Sequence, residues 1–202
     1  PTGTLALGNG SHGVFLASGA PSGNQIGSPN PGGNLIAFNG GDGISASTGT
    51  NNAIRANSII SNGNLGIDLG ANGILPNDFP DAATGANLQQ NFPQLTSATA
   101  NPTSTEIQGV LRSRPSMVYQ LDFFSNLSPD SSGTGEGQKW LGSTNVTTDA
   151  NGSNVFNVTV PGSTVVFSWN GSTKVPTITV TAPGGPTNRT PNEVEWNGVR
   201  HD

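Results

Sequence analysis

The chain has 202 residues, 12 Asp plus Glu against 7 Lys plus Arg, and a formal net charge of −5. So few basic residues argue against a nucleic-acid partner, which needs a basic patch to meet the phosphates. The absence of cysteine excludes a disulfide scaffold and a thiolate metal site.

No stretch reaches the roughly 18 apolar residues of a membrane-spanning helix. Charged residues make up 9% of the chain, against roughly a quarter in an average protein. Twenty-nine Gly and 15 Pro, with abundant Asn, Ser and Thr, mark a chain that spends many residues on turns. Ile, Leu and Val still recur in short patterned runs, and disordered chains usually carry high net charge. The composition therefore reads as all-β.

The first elements are repeats. NLIAFNGGDGISAS from Asn34 superposes on NSIISNGNLGIDLG from Asn57 at an offset of 23 residues. A looser copy, GSHGVFLASGAPSGNQIG, precedes them at 10–27, and the turn-rich SPNPGG intervenes. Gly and Asn are too dense for helices. Short strands between Gly/Asn turns predict a right-handed parallel β-helix of about three coils, in which stacking buries what one coil cannot. Alternation predicts that Val14, Leu16, Ile44, Ala46, Ile67 and Leu69 point inward, and Phe15, Ser45 and Asp68 outward. Ile26 with Ile54 and Ile36 with Ile59 form two further inward ladders. Asn34/Asn57 and Asn39/Asn62 fall one coil apart at corners, where Asn satisfies turn backbone. The start in mid-pattern at Pro1 leads us to expect further coils upstream. Phe15 is expected to lie outward beside SPNPGG and to contact a neighbour or the second half of the chain rather than the coil interior.

Residues 66–85, GIDLGANGILPNDFPDAATG, concentrate the acids of the first half. GIDL is the last coil strand and NDFPDAATG the bend that leaves the solenoid. Asp68, Asn72, Asn77, Asp78 and Asp81 offer oxygen ligands in a Gly-rich segment, which suits the flexible six-to-eight oxygen shell of calcium. The competing reading is that these side chains hold turn backbone. A second set, Asp130, Glu136 and Asp149, falls in later loops.

From about Leu95 the period changes and longer alternating strands begin: 105–111, 117–125, 139–148, 154–160, 164–169 and 176–182, with EVEWNG as a short last one. These predict an immunoglobulin-like antiparallel sandwich, with Leu121, Phe123, Trp140, Phe156 and Phe167 as core. The expected division is 1–94 for the coils and closing turn, and 95–202 for the sandwich with a C-terminal extension.

ANSIISNGNLGIDLGANGILPNDFPDAATGANLQQNFPQL (56–95), YQLDFF (119–124), GEGQKWLGSTNVTTDANGSNVF (from Gly135) and PNEV (191–194) together resemble a known group. They are similar to the terminal portion of large bacterial and archaeal surface or secreted proteins with right-handed parallel β-helix repeats followed by a sandwich. SNLSPDSSGT departs from that pattern, where a Cys-containing loop is usual, and EWNGVRHD has no counterpart. The resemblance implies an extracellular or cell-surface location and the two-part architecture. It implies no activity, since members of the group mostly have none assigned.

The only histidines, His12 and His201, lie near the termini without an evident Asp partner or a Gly-x-Ser-x-Gly context, which argues against a Ser-His-Asp triad. No phosphate loop or HExxH occurs. Polysaccharide cleavage needs paired carboxylates or an acid with a basic residue. The coils offer Asp42, Arg55 and Asp68, but Asp42 and Asp68 occupy different coil positions. A Lys isopeptide bond would need Lys139 or Lys174 beside a buried acid such as Glu106. Sequons at Asn9, Asn126, Asn145, Asn151, Asn157, Asn170 and Asn188 show where glycans could attach.

The expectation is a non-enzymatic structural or adhesive module with no catalytic residues. Its expected partners are surface glycans or copies of itself. Carbohydrate binding through aromatics, and polysaccharide lyase or glycoside hydrolase activity, are the alternatives.

Overall fold

The computed structural model describes residues 6–19, 21–30, 32–126 and 136–161, and strands 166–169, 176–179 and 199–200 by their backbone. Asp130, Lys174, the sequons at Asn170 and Asn188, the side chain of Phe167 and the segment 191–198 lie outside the described residues.

The protein is all-β. Seven short strands form the parallel part: β1 (Val14–Leu16), β2 (Gln25–Ile26), β3 (Leu35–Ala37), β4 (Ile44–Ala46), β5 (Ala53–Ile54), β6 (Ser58–Ile60) and β7 (Ile67–Leu69). They stack as three parallel sheets, β1-β4-β7, β2-β5 and β3-β6. This is a short parallel β-helix of two full coils plus the first strand of a third. The predicted register holds: Ile26 pairs with Ile54, Ile36 with Ile59, and Ile44 with Ile67.

Ile36, Ile44, Ile54 and Ile59 form the coil interior, with Val14, Ile26 and Ile67 packed against them. Each coil enters its first strand through a glycine for a steric reason. A Cβ on Gly43 would stand 2.6 Å from Ile59 Cγ2 and 2.7 Å from the Gly66 carbonyl, and Gly13 is equally crowded.

The corners are built from a left-handed residue followed by Asn. Gly23 and Asn51, Phe38 and Ser61, and Ala56 have positive φ, and each precedes a corner Asn. Those Asn side chains form ladders. Asn24 and Asn34 each donate their backbone N–H and Nδ2 to the Oδ1 of Asn52 and Asn57, at 2.8–3.1 Å. Asn39 does the same to Asn62. Asn52 and Asn57 are almost fully buried and donate Nδ2 back to the Pro21 and Ile26 carbonyls. The ladders at Asn34/Asn57 and Asn39/Asn62 were legible in the sequence; the one at Asn24/Asn52 was not.

Asp68 and Ser45 were expected to face solvent. Instead they are 5% and 0% exposed. The chain leaving β7 folds back over this side. Asp68 accepts the N–H groups of Asn72 and Gly73, and a 3-10 turn (Ala86–Gln89) packs against β7. Leu69 is half-buried rather than interior. Phe15 is exposed as expected, but its partner is His12 of its own coil, with ring centroids 5.4 Å apart.

The antiparallel part begins with β8 (Gln94–Ala100), a strand absent from those expected, the first of which was 105–111. β9 (Ser104–Arg112), β10 (Val118–Ser125), β11 (Lys139–Thr147) and β12 (Ser153–Pro161) follow, then β13 (Val166–Trp169), β14 (Pro176–Thr179) and β15 (Val199–Arg200). Two antiparallel sheets, β12-β9-β8-β13-β14 and β11-β10-β15, make the immunoglobulin-like sandwich. Its core joins Ile107, Leu111, Tyr119, Leu121, Phe123, Val146, Phe156 and Val160, with Phe123 edge-on to Phe156. Trp140, expected in that core, is only half-buried.

Replacing Asn57 by Leu keeps the branched side-chain skeleton but removes the acceptor of Asn34 and the donor to Ile26. It should cost about 2–3 kcal/mol in urea unfolding. Asn30→Leu, at an exposed turn, should stay within about 0.5 kcal/mol.

Candidate functional site

The densest constellation of charged and polar side chains lies where the coils meet the sandwich. Arg55 follows β5 at a coil corner, and Asp122 lies in the middle of β10. On β10, Leu121 and Phe123 face the sandwich core, so alternation turns Gln120, Asp122 and Phe124 to the other side. That side is covered by the coils, and Phe124 is fully buried there.

Arg55 grips Asp122 as a two-pronged fork. Nε donates to Oδ2 at 2.6 Å and Nη2 to Oδ1 at 2.7 Å. Nη1 donates to Gln120 Oε1 and Nη2 also reaches Ser143 Oγ. Asp122 is saturated from every direction. It accepts the Ala56 backbone N–H at 3.1 Å, the Ser143 hydroxyl at 2.6 Å and the Trp140 indole N–H at 3.4 Å. The two charged side chains are 8% and 0% exposed. Such a pair has neither a free lone pair nor open space for a substrate. It is a joint, and it removes Arg55 from the basic residues that a lyase could use.

Glu136 is the second joint. Its Oε1 accepts both the backbone N–H and the Nδ2 of Asn62, at 3.0 and 2.6 Å. It thus occupies the place that the next corner Asn would take after Asn39 and Asn62. Beside it, Gly137 O accepts the Ile59 N–H at 2.8 Å and Gln138 O accepts the Ser58 hydroxyl at 2.6 Å. Residues 136–138 therefore lie along β6 as a substitute for the next coil. Asn87 closes the third corner: its Oδ1 accepts the Asn52 N–H and its Nδ2 donates to the Asn52 carbonyl.

The five residues proposed for calcium separate into two local groups. Asp68 serves the loop at Asn72 and Gly73. Asn77 exchanges two bonds with the Phe92 backbone, and Asp78 presents its N–H and carbonyl to the side chain of Asn91. Asp81 is buried at the sandwich end of the bend. It accepts the Ser113 hydroxyl, which also bonds Tyr119 OH at 2.8 Å. Its other oxygen faces Arg114 Nε at 3.8 Å. A guanidinium in that position competes with a metal ion for the carboxylate. Among the described residues no three His, Cys, Asp or Glu side chains gather as a metal site would require. Of the second set, Glu136 caps Asn62, and Asp149 accepts the N–H groups of Asn151 and Ser153 in its own turn.

Other candidates are equally occupied. His12, for which the sequence offered no partner, lies 3.1 Å from an Asp42 carboxylate oxygen of the next coil, and its Nδ1 accepts the Asp42 N–H. Asp42 also accepts the Leu65 N–H. Lys139 is exposed and Glu106 is only half-buried, so Glu106 does not supply the buried acid of an isopeptide bond. A concavity lined by Thr50, Asn51, Asn52, Asn87 and Leu88 contains no acid or base.

No protein-family model matches the chain, and no curated protein matches it. Arg55 was visible in the sequence as a basic residue, but its partner was not. The available signal was the pair Phe123-Phe124 in adjacent positions of one strand. Apolar residues on both faces mean that both faces are covered, and an acid beside them needs a buried cation.

Arg55→Met and Asp122→Ala should each cost about 3–5 kcal/mol, because each leaves a buried charge without its partner. The double variant should cost clearly less than the sum, and a double-mutant cycle in urea measures the difference. Glu106 offers a pH readout. Hydrogen bonds from Asn157 and then Gln108 hold its carboxyl below the ordinary glutamate range. A lowered value favours the folded carboxylate above that range, and the contribution fades as pH falls through the folded value. In Asn157→Ala an NMR titration should place Glu106 closer to an ordinary glutamate.

Proposed function

We propose that this chain is a non-enzymatic structural module of an extracellular or cell-surface protein: the closed end of a parallel β-coil stack, with residues 1–94 and 95–202 as its two parts. The observation that carries the reading is the use to which the scarce charges are put. Arg55, Asp122 and Glu136 are spent on joining coil to sandwich. Asp42, Asp68 and Asp81 are spent on holding backbone or a neighbouring side chain. A ligand site needs a few convergent polar groups left open in a concave surface, and the charged groups here converge on one another.

The sandwich takes the role of a terminal cap, which solenoids require to stay soluble. Low charge and many exposed Asn, Ser and Thr suit a passive stalk facing an aqueous exterior. The reading needs no metal. The bend at 70–93 is held by Asn91, Ser113 and Arg114.

The test is incubation with uronic-acid and neutral polysaccharides, with added calcium, read by reducing ends and by unsaturated products. The expected result is unchanged polymer and an unshifted melting temperature with calcium. New chain ends, at a rate abolished by a substitution at Asp42 or Asp68, would overturn the reading.

A further inference from the structure

The opposite end of the coil stack is built differently from the capped one. Val14 and Ile26 are only half-buried, whereas Ile44 and Ile54, one coil inward, are 0% and 2% exposed. β1, β2 and β3 pair on one side only. Val14 N–H and Leu16 O bond toward the second coil, as do Asn24 O and Ile26 O. In parallel strands the residues between them turn their polar groups the other way. The backbones of Phe15 and Gln25 therefore present donors and acceptors outward, beside the exposed side chains of Phe15 and Leu35.

The Asn ladders give this open end a direction. In every ladder the backbone N–H points toward the sandwich. Asn9 and Asn39 donate to the Oδ1 of Asn39 and Asn62, Asn24 to that of Asn52, and Asn34 to that of Asn57. At the capped end Asn62 meets Glu136, whose carboxylate accepts but has no N–H to pass on, and Asn52 meets the side chain of Asn87. At the open end the corners Asn9, Asn24 and Asn34 are exposed, and their side-chain oxygens are acceptors bonded to nothing among the described residues.

We propose that the open end is a docking face for the donor side of another parallel, asparagine-cornered coil, and that the stack extends in this direction only. The occupant follows from continuity with the coil-to-coil interface already present. A second copy of this module does not fit. Its own donor side is closed by the sandwich, and two open ends placed face to face set acceptor against acceptor at all three corners. This inference rests on the structural reading above and adds the partner's chemistry to it.

The experiment compares the chain as it stands with a lengthened one. In the latter a copy of residues 39–61 is joined directly in front of Asn9, so that Ser61 of the copy meets Asn9 as it meets Asn62. The copy carries Arg55→Gly, because Gly27 holds that position in the first coil and no Asp122 is within reach. The lengthened chain should remain monomeric and melt about 4 °C or more higher, the size of shift that a few added hydrogen bonds give in a chain of this length. The amides of Phe15 and Gln25 should become protected from exchange. Asn24→Leu with Asn34→Leu should lower the melting temperature more in the lengthened chain than in the original. A lengthened chain that melts no higher, or does not fold, overturns the proposal. So does a concentration-dependent dimer of the original chain in sedimentation, which would make a second copy the occupant. Either failure leaves the polysaccharide result, and the structural reading it tests, untouched.

Discussion

The fork between Arg55 and Asp122 is the constraint on which the architecture depends. It buries a full positive and a full negative charge between two kinds of β-structure that otherwise share no sheet. Removing both charges from water is costly, and the pair is sustained only because every remaining lone pair and N–H finds a partner. Ser143, Trp140, Gln120 and the Ala56 amide provide them. Apolar contact alone would let the two parts slide. A saturated ion pair fixes them at one angle and one register, because any shift strands a charge.

The same logic explains how a stack of so few coils ends. A parallel coil leaves unpaired N–H groups along its last turn, and open strand edges invite unwanted pairing. The protein closes each corner with a side-chain oxygen that accepts the outgoing amide. Asp122 takes the Ala56 amide, Glu136 takes Asn62, and Asn87 takes Asn52. Gly137 and Gln138 then supply the carbonyls that a further strand would have offered β6.

Much of this was legible in the residues. The 23-residue offset set the coil register, and the inward isoleucines and two of the three corner ladders followed from it. Alternation found β9 through β12 within a residue or two at each end. What stayed hidden was anything decided between distant segments. Asp68 and Ser45 were assigned outward from strand alternation alone, but whether an outward face is wet depends on where the following loop lies. GEGQ read as loop because its partners, Asn62 and Ser58 of β6, are 74 and 80 residues away. β8 was missed because QLTSATA carries a single large apolar residue, and its pairing with β9 rather than its composition makes it a strand. The acid-rich bend drew attention as a metal site for its composition, whereas its placement was set by neighbours: Asn91 holds the Asp78 backbone, and Ser113 and Arg114 meet the Asp81 carboxylate.

The central claim is that the sandwich ends the coils by direct bonding, so that the two unfold together. Native-state hydrogen exchange tests it most directly, through the amides of Ala56, Ile59 and Asn62, which donate to Asp122, Gly137 and Glu136. The account predicts that these three exchange with the same free energy as the core amides of β10 around Leu121, and that all of them fall together in Asp122→Ala. Exchange of the three coil amides at a markedly lower free energy, with β10 still fully protected, would contradict it.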